Sequence, residues 1–241
     1  SWNWKANGAG SANTDGSISS TVSANTTSGF SIVSYTGTGS NATVGHGLGV
    51  APKMIIVKVI SASGNYWPIY HQAMGNTNYI FLNVTNATAS TANTWNDTSP
   101  TNSVFHLGTD GDTNTNGATL IAYCFAEKQG YSKFGSYTGN GNADGTFVYT
   151  GFSPAFVLYK DSTSVSDWVM KDNRRPGFNV TDDVLYPNLA DAEGSGADID
   201  FLSNGFKART TAANTNKSNA GFIYMAFASE PLVGDNPATA R

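Results

Sequence analysis

Cysteine is nearly absent from this chain of 241 residues, which contains only Cys124. A single cysteine excludes an internal disulfide framework and any CxxC metal or redox motif. Charged residues make up 12% of the chain, about half the usual share. The net charge of −4 offers no basic surface to a phosphate backbone, so we expect no nucleic-acid partner. No apolar run approaches the roughly 20 residues of a membrane-spanning helix, so we expect no membrane insertion.

The chain is instead rich in small polar residues, glycine and aromatics, and hydrophobic residues make up 39% of it. That share is too high for a disordered polar tract, so the chain is expected to fold. Short β-branched and aromatic stretches alternate with clusters of turn-forming residues, which predicts an all-β fold, with helical turns only at 68–74 and 183–189. The clearest predicted strands are residues 29–35, 53–60, 79–82, 118–125, 146–149, 155–160, 168–170 and 221–227, and a further strand is predicted at 104–107.

An internal repeat is the most informative feature of the sequence. Ser34-Tyr-Thr-Gly-Thr-Gly39 returns as Ser136-Tyr-Thr-Gly-Asn-Gly141, 102 positions further on, and residues 49–58 match 151–160 at the same offset. We therefore predict two tandem repeated β-sandwich domains with a jelly-roll-like fold. The predicted divisions are an N-terminal segment with an added strand (1–29), the first repeat (30–127), the second repeat (131–230) and a C-terminal tail (231–241).

Three stretches of the chain resemble a known family. They are Trp4 to Asn25, Gly29 to Gly39 and Val44 to Lys58, and the ending Phe227-Ala-Ser-Glu-Pro231 with Ala238 to Arg241 is similar too. The family is a domain of unknown function found near the C-termini of large structural proteins of marine and cyanobacterial tailed phages. The resemblance covers nearly the whole chain, but it transfers no catalytic or binding residues.

The resemblance implies a virion structural module, a tail-fibre or other appendage domain on the virion surface that contributes to host-surface recognition. It implies a homo-oligomer, with a trimer expected, other virion proteins as partners, and a host surface receptor, with polysaccharide as a candidate. Two alternatives stay open. One is a capsid or tail decoration protein with no receptor role, and the other is a glycan-degrading enzyme. We expect no enzyme activity and no cofactor.

Trp95, Asn96 and Asp97 are the candidate ligand-binding residues. They lie in a polar stretch without a counterpart in the second repeat. An aromatic ring held among amides and carboxylates suits sugar recognition, through ring stacking and directed hydrogen bonds. The alternative interpretation is a loop anchor whose ring folds onto the domain. Trp67 and Trp168, by contrast, align between the repeats and are predicted to be core or shared scaffold.

Other chemistry has weaker support in the sequence. Asp110, Asp112 and Asn114 place side-chain oxygens at every second residue, as the start of a calcium loop does, but Ile121 stands where the closing glutamate would be. A hairpin turn is the alternative there. A carboxylate pair for glycoside hydrolysis would have to come from the second repeat, and solvated loop acids are the alternative. The acids concerned are Asp191, Glu193, Asp198 and Asp200.

Overall fold

The computed structural model describes residues 3–175 and 179–228, and it is all-β apart from short turns of helix. The chain divides into two compact units. Unit 1 contains residues 1–82 and 89–127, and unit 2 contains residues 83–88 and 128–241. Residues 83–88 therefore group with the second unit, although they fall inside the predicted first repeat. The predicted tail at 231–241 and the end of the second repeat lie outside the described residues.

Unit 1 contains ten strands in two sheets. An eight-stranded sheet has the order β1-β2-β3-β10-β5-β6-β7-β8, and β4 pairs with β9 in a second sheet. The strand pairs of both sheets are antiparallel. The strands are β1 (Ser11–Asn13), β2 (Ser20–Asn25), β3 (Phe30–Thr36), β4 (Ala42–Gly45), β5 (Met54–Val59), β6 (Pro68–His71), β7 (Asn78–Phe81), β8 (Ala89–Ser90), β9 (Val104–Leu107) and β10 (Thr119–Phe125).

The described part of unit 2 contains eight strands in two four-stranded antiparallel sheets, with the orders β11-β18-β13-β14 and β12-β17-β16-β15. The strands are β11 (Ser132–Thr138), β12 (Phe147–Tyr149), β13 (Pro154–Asp161), β14 (Trp168–Asp172), β15 (Thr181–Val184), β16 (Gly194–Leu202), β17 (Gly205–Ala208) and β18 (Gly221–Ala228).

Alternate residues of each strand build the cores, because successive side chains of a strand point to opposite faces of the sheet. In unit 1, Val33 and Leu120 from the large sheet share one buried cluster with Val44 and Phe105 from the small sheet. The core of unit 2 is more aromatic and likewise draws on both sheets. It includes Tyr137, Tyr159, Phe222 and Tyr224 from one sheet and Val148, Ile199, Phe201 and Phe206 from the other.

The same long-range hydrogen bonds close both units at a constant offset of 102 residues. Tyr35 Oη donates to the carbonyl of Thr113 at 2.7 Å, and Tyr137 Oη donates to the carbonyl of Thr215 at 2.7 Å. These phenols are buried, and burial raises the pKa of Tyr35 and of Tyr137 well above the usual value. The phenols therefore stay protonated as donors in both units.

Three single turns of helix were not predicted. They are α1 (Ala92–Trp95), α2 (Gly111–Asn114) and α3 (Ala213–Asn216). Side-chain caps explain the first two, since Thr91 accepts from the Asn93 amide and Asp110 from the Asp112 amide. One turn is too short to produce a periodic apolar pattern. No helix in the described part of the chain is long and apolar enough to cross a membrane.

The two stretches predicted as possible helical turns are mainly extended. Residues 68–71 form β6, and only Gln72–Met74 makes a 3-10 turn. The 183–189 stretch begins inside β15, and Leu185 then makes a β-bridge with Met170. The pairing with neighbouring strands determines the conformation of both segments, because their local residue pattern is compatible with either a helical turn or a strand.

The aligned tryptophans have different surroundings. Trp168 begins β14 and is 1% exposed, as expected for a core residue. Trp67 precedes β6 and is half-buried, with the Lys58 ammonium 5.6 Å from its ring centroid. Lys160 lies opposite Trp168 in the strand register. The sequence alignment thus pairs the same two residue types in both units.

Two lysines of unit 2 are fully buried and are held by backbone carbonyls. Lys160 Nζ donates to the carbonyls of Thr85, Asp161 and Ser166, and Lys171 Nζ donates to those of Thr181, Asp182 and Gly196. Burial lowers the pKa of each ammonium to about 8. The contact of Lys160 with Thr85 helps to explain why residues 83–88 belong to unit 2.

The buried lysines predict a pH dependence of stability. Because the pKa of Lys160 and Lys171 is lower in the folded state, the unfolded chain binds more protons between pH 8 and about pH 10, so the free energy of unfolding should rise with pH there. We expect about 1 kcal/mol per pH unit or less for each lysine after screening. Above about pH 10 the buried tyrosines reverse the sign, since their phenols ionise more readily in the unfolded chain.

Urea unfolding at a series of pH values measures this dependence. Lys160→Met should lower the slope between pH 8 and pH 10, and Lys58→Met, at the aligned but partly exposed position, should leave it unchanged. A wild-type unfolding free energy that falls steadily from pH 8 upwards would contradict the expectation.

Candidate functional site

Trp95 is not available to stack on a sugar. Its ring is 2% exposed, belongs to the core cluster of unit 1 and meets Tyr70 edge to face at 6.0 Å. Asn96 and Asp97 both have positive φ, 51° and 46°, so α1 ends directly after Trp95. Trp95 is therefore a loop anchor whose ring folds onto the domain. This corrects the prediction that its ring stacks on a sugar.

Asn96 and Asp97 remain near the surface, but Trp95 is buried and provides no exposed ring beside them. The Asn96 side-chain oxygen accepts from Asn41 Nδ2 at 2.7 Å, and the Asp97 carbonyl accepts from Asn76 Nδ2 at 2.8 Å. Both contacts fasten the loop to neighbouring segments of unit 1. A ligand-binding role for these two residues stays a prediction.

The predicted calcium loop is a capped turn of helix. Asp110 accepts from the Asp112 amide and from Thr94 Oγ1, while Asp112 Oδ1 accepts from the Tyr66 amide at 2.9 Å. Asn114 is fully buried, and its side-chain amide is hydrogen-bonded to backbone groups instead. The three side chains therefore do not converge on one point. Within residues 3–175 and 179–228, no three His, Cys, Asp or Glu side chains come together to hold a metal.

Cys124 and two of the acids proposed for hydrolysis have surroundings that suit a structural role and not a reactive one. Burial raises the pKa of the Cys124 thiol to about 12, so this thiol stays protonated and unreactive. Among the acids proposed for hydrolysis, Glu193 accepts from Arg175 and Asp200 accepts from Arg209. Each of these two carboxylates is thus engaged by a different arginine.

An exposed pair of aromatic rings lies on unit 2, on strand β12. Phe147 is 44% exposed and Tyr149 is 65% exposed, while Val148 between them points into the core. Each ring lies beside a glycine. A Cβ at Gly205 would lie 3.1 Å from the Phe147 ring, and a Cβ at Gly151 would lie 3.6 Å from the Tyr149 hydroxyl. The backbone of β12 approaches Gly205 closely, since a Cβ there would lie 2.0 Å from the carbonyl oxygen of Val148.

Charged side chains continue this surface across the sheet. Lys207 lies opposite Phe147 in the register, and directly opposite side chains share a face. Lys207 Nζ is 2.6 Å from Asp144 Oδ1, and Arg209 bridges Asp144 and Asp200. The hydrogen bond and charge of Lys207 lower the pKa of Asp144, and Arg209 adds to the effect. We call the side chains of Phe147, Tyr149, Lys207, Arg209 and Asp144 the aromatic face.

Among the described residues, the corresponding surface of unit 1 has no ring at the two counterpart positions and is covered by the chain itself. Val44 and Val148 occupy equivalent core positions opposite Phe105 and Phe206, so Thr43 and Gly45 are the counterparts of Phe147 and Tyr149. A Cβ at Gly45 would lie 1.7 Å from the side-chain oxygen of Asn13, which occupies that space. The aromatic face is therefore specific to unit 2.

The sequence contains a signal for this surface that none of the motifs above includes. Residues 146–150 read Thr-Phe-Val-Tyr-Thr, with aromatics two positions apart on a predicted strand. Period-two geometry places both rings on one side, but local sequence does not say which side faces the core. The comparison with Thr43 and Gly45 supplies the missing criterion, because two aromatic residues of unit 2 stand where unit 1 has a threonine and a glycine.

The comparisons with known proteins identify the family. The model of the family described as a domain of unknown function, DUF7483, matches residues 1–231, and the chain belongs to that family. No curated protein and no solved structure matches the chain. Family membership therefore brings no assigned function.

Proposed function

We propose that this chain is a non-enzymatic recognition module of a virion appendage, such as a tail fibre, and that it binds host-surface glycans. The aromatic face is the observation that carries the proposal. Sugar recognition combines ring stacking with directed hydrogen bonds, and this surface supplies exposed rings beside charged donors and acceptors. Phe147 and Tyr149 lie two positions apart on one face of β12, and contiguous exposed apolar surface of this kind favours an interaction role over a purely structural one.

The electrostatics of the face favour a polyhydroxylated ligand. Lys207 and Arg209 are already paired with Asp144, so the local charges largely balance each other. A ligand of strong single charge would have to compete with those ion pairs. Hydroxyl groups, in contrast, can accept from the cations and donate to the carboxylate without breaking the pairs.

We propose further that residues 30–127 and 131–230 are two copies of one β-sandwich, of which the second carries recognition. The shared tyrosine hydrogen bonds at an offset of 102 residues support the duplication. The resemblance of the chain to a domain of phage structural proteins supports the virion setting. Several copies on one particle would multiply weak individual contacts, as multivalent binding does.

Binding of the purified chain to cyanobacterial host cells and to their isolated surface polysaccharide tests this function. We expect saturable, weak binding to both, and no release of reducing sugar. If the chain bound neither the cells nor the polysaccharide, the result would overturn the proposal and favour a decoration protein. Release of reducing sugar would overturn it in favour of a glycan-degrading enzyme.

A further inference from the structure

Strand β12 has an open edge in unit 2. It pairs only with β17 among the described residues. Thr150 N donates to the carbonyl of Asn204, and Ala208 N donates to that of Thr146. Bonded and non-bonded positions alternate along an antiparallel pair, so the N–H and C=O groups of Phe147 and Tyr149 point away from β17. An edge with outward N–H and C=O groups is a template for another strand.

In unit 1, the chain covers the equivalent edge with its own residues. Ile18 N donates to the carbonyl of Thr43 at 3.0 Å, and Thr43 N donates to Ser17 Oγ at 2.9 Å. Ser20 Oγ donates to the carbonyl of Gly45 at 3.2 Å. The backbone groups satisfied in this way are the counterparts of the outward groups of β12. This edge of the fold therefore binds an extended segment where one is supplied.

A segment that pairs with the β12 edge cannot bind in the same way as the segment that covers the equivalent edge of unit 1. There, Asn13 fills the space beside Gly45 where a Cβ would lie. Tyr149 stands at the equivalent position, and its side chain excludes such a segment. The occupant must leave the rings of Phe147 and Tyr149 on the outer face, and it must offer backbone groups at the same two-residue spacing.

The β12 edge of a second copy meets both requirements, and we propose that two copies of this chain pair antiparallel through β12. With the two-fold axis at Val148, Phe147 lies opposite Tyr149 of the second copy in a hydrogen-bonded position. The symmetric position repeats that pair, which gives four backbone hydrogen bonds. Such an isologous contact is self-complementary and closed. It joins two four-stranded sheets into one sheet of eight.

The pairing would bring the two aromatic faces together. All four rings lie on the outer side of the joined sheet, and cross-strand neighbours in an antiparallel pair contact each other directly. The pairing itself does not depend on the proposed glycan, whereas its benefit for recognition rests on that proposed function. The contact is short, so we expect a weak dimer with a Kd on the order of 10⁻⁴ M.

Sedimentation equilibrium of the purified chain, without any polysaccharide, tests the pairing over a concentration series spanning that Kd. We expect a monomer–dimer equilibrium in place of the trimer that the family resemblance implies. Tyr149→Pro removes the outward N–H and should weaken dimerisation at least tenfold. Tyr149→Ala is the matched control, because it keeps the N–H and removes only the ring, so it should retain a measurable dimer.

Hydrogen exchange of the wild-type chain gives a second measurement that does not depend on the folding of a variant. The amides of Phe147 and Tyr149 should exchange more slowly as concentration rises, while the amide of exposed Val165 should not change. A monomer at every concentration, a trimer, or concentration-independent exchange at both amides would overturn the pairing. Because no glycan is present, these outcomes are separate from failure of the proposed function.

Discussion

Replacing Asn114 by aspartate is expected to lower the free energy of unfolding by about 3–5 kcal/mol. Asn114 is fully buried, and its Nδ2 donates to the carbonyls of Ser40 at 2.7 Å and Gly108 at 2.8 Å. Its Oδ1 accepts from the Thr38 amide at 2.8 Å. Asn114→Asp places a carboxylate oxygen against two carbonyl oxygens in a buried site, where water does not screen their repulsion. Urea unfolding followed by tryptophan fluorescence measures the change.

Unit 2 offers a second instance of the same arrangement. Asn216 Nδ2 donates to the carbonyls of Asn142 and Thr210, and Asn216 Oδ1 accepts from the Asn140 amide. Asn216→Asp should therefore have a comparable effect. Asn116→Asp is the control, because Asn116 is exposed on the turn after α2 and should change stability by about 0.5 kcal/mol or less. Losses below about 1 kcal/mol for both buried variants would contradict the account.

The second large effect is expected at the aromatic face. Phe147→Ala and Tyr149→Ala should each weaken binding to host-surface polysaccharide about tenfold, which corresponds to the roughly 1.5 kcal/mol lost when a stacked ring is removed. Stability should hardly change, because both rings are substantially exposed. Titration of the polysaccharide into the immobilised chain measures affinity.

Two control variants separate ring stacking from general surface change. Tyr149→Phe keeps the ring and should retain most of the affinity. Val165→Ala truncates another exposed apolar residue of unit 2, which is 74% exposed and lies in the connection between β13 and β14, and this variant should bind as the wild type does. Equal losses in the Val165 and Tyr149 variants would show that the rings have no special role.

The strands were predictable because their residues are locally consistent with strand structure. Residues 118–125 were predicted as a strand, and β10 runs from Thr119 to Phe125. Residues 53–60 were predicted likewise, and β5 runs from Met54 to Val59. Nearly continuous apolar runs of this kind fit a strand packed on both faces. Sheet order, by contrast, depends on pairings between distant residues, such as Tyr123 with Ile32, which local patterns do not encode.

The candidate site was harder to predict, for a physical reason. Trp95 has polar neighbours in sequence, yet its ring packs in the core, where it contacts Tyr70 from a distant part of the chain. The orientation of Phe147 and Tyr149 depends on Val148 meeting Phe206 across the sheet, more than fifty residues away. Exposure is decided by such tertiary contacts, and composition around a residue is a poor guide to it.

The recognition role of the aromatic face can be decided by a single quantity. It is the affinity for isolated host-surface polysaccharide of the wild-type chain and of a variant carrying both Phe147→Ala and Tyr149→Ala. The account predicts that the wild type binds and that the double variant, with an unchanged unfolding curve, loses at least tenfold in affinity. Equal affinities in the two proteins would contradict it.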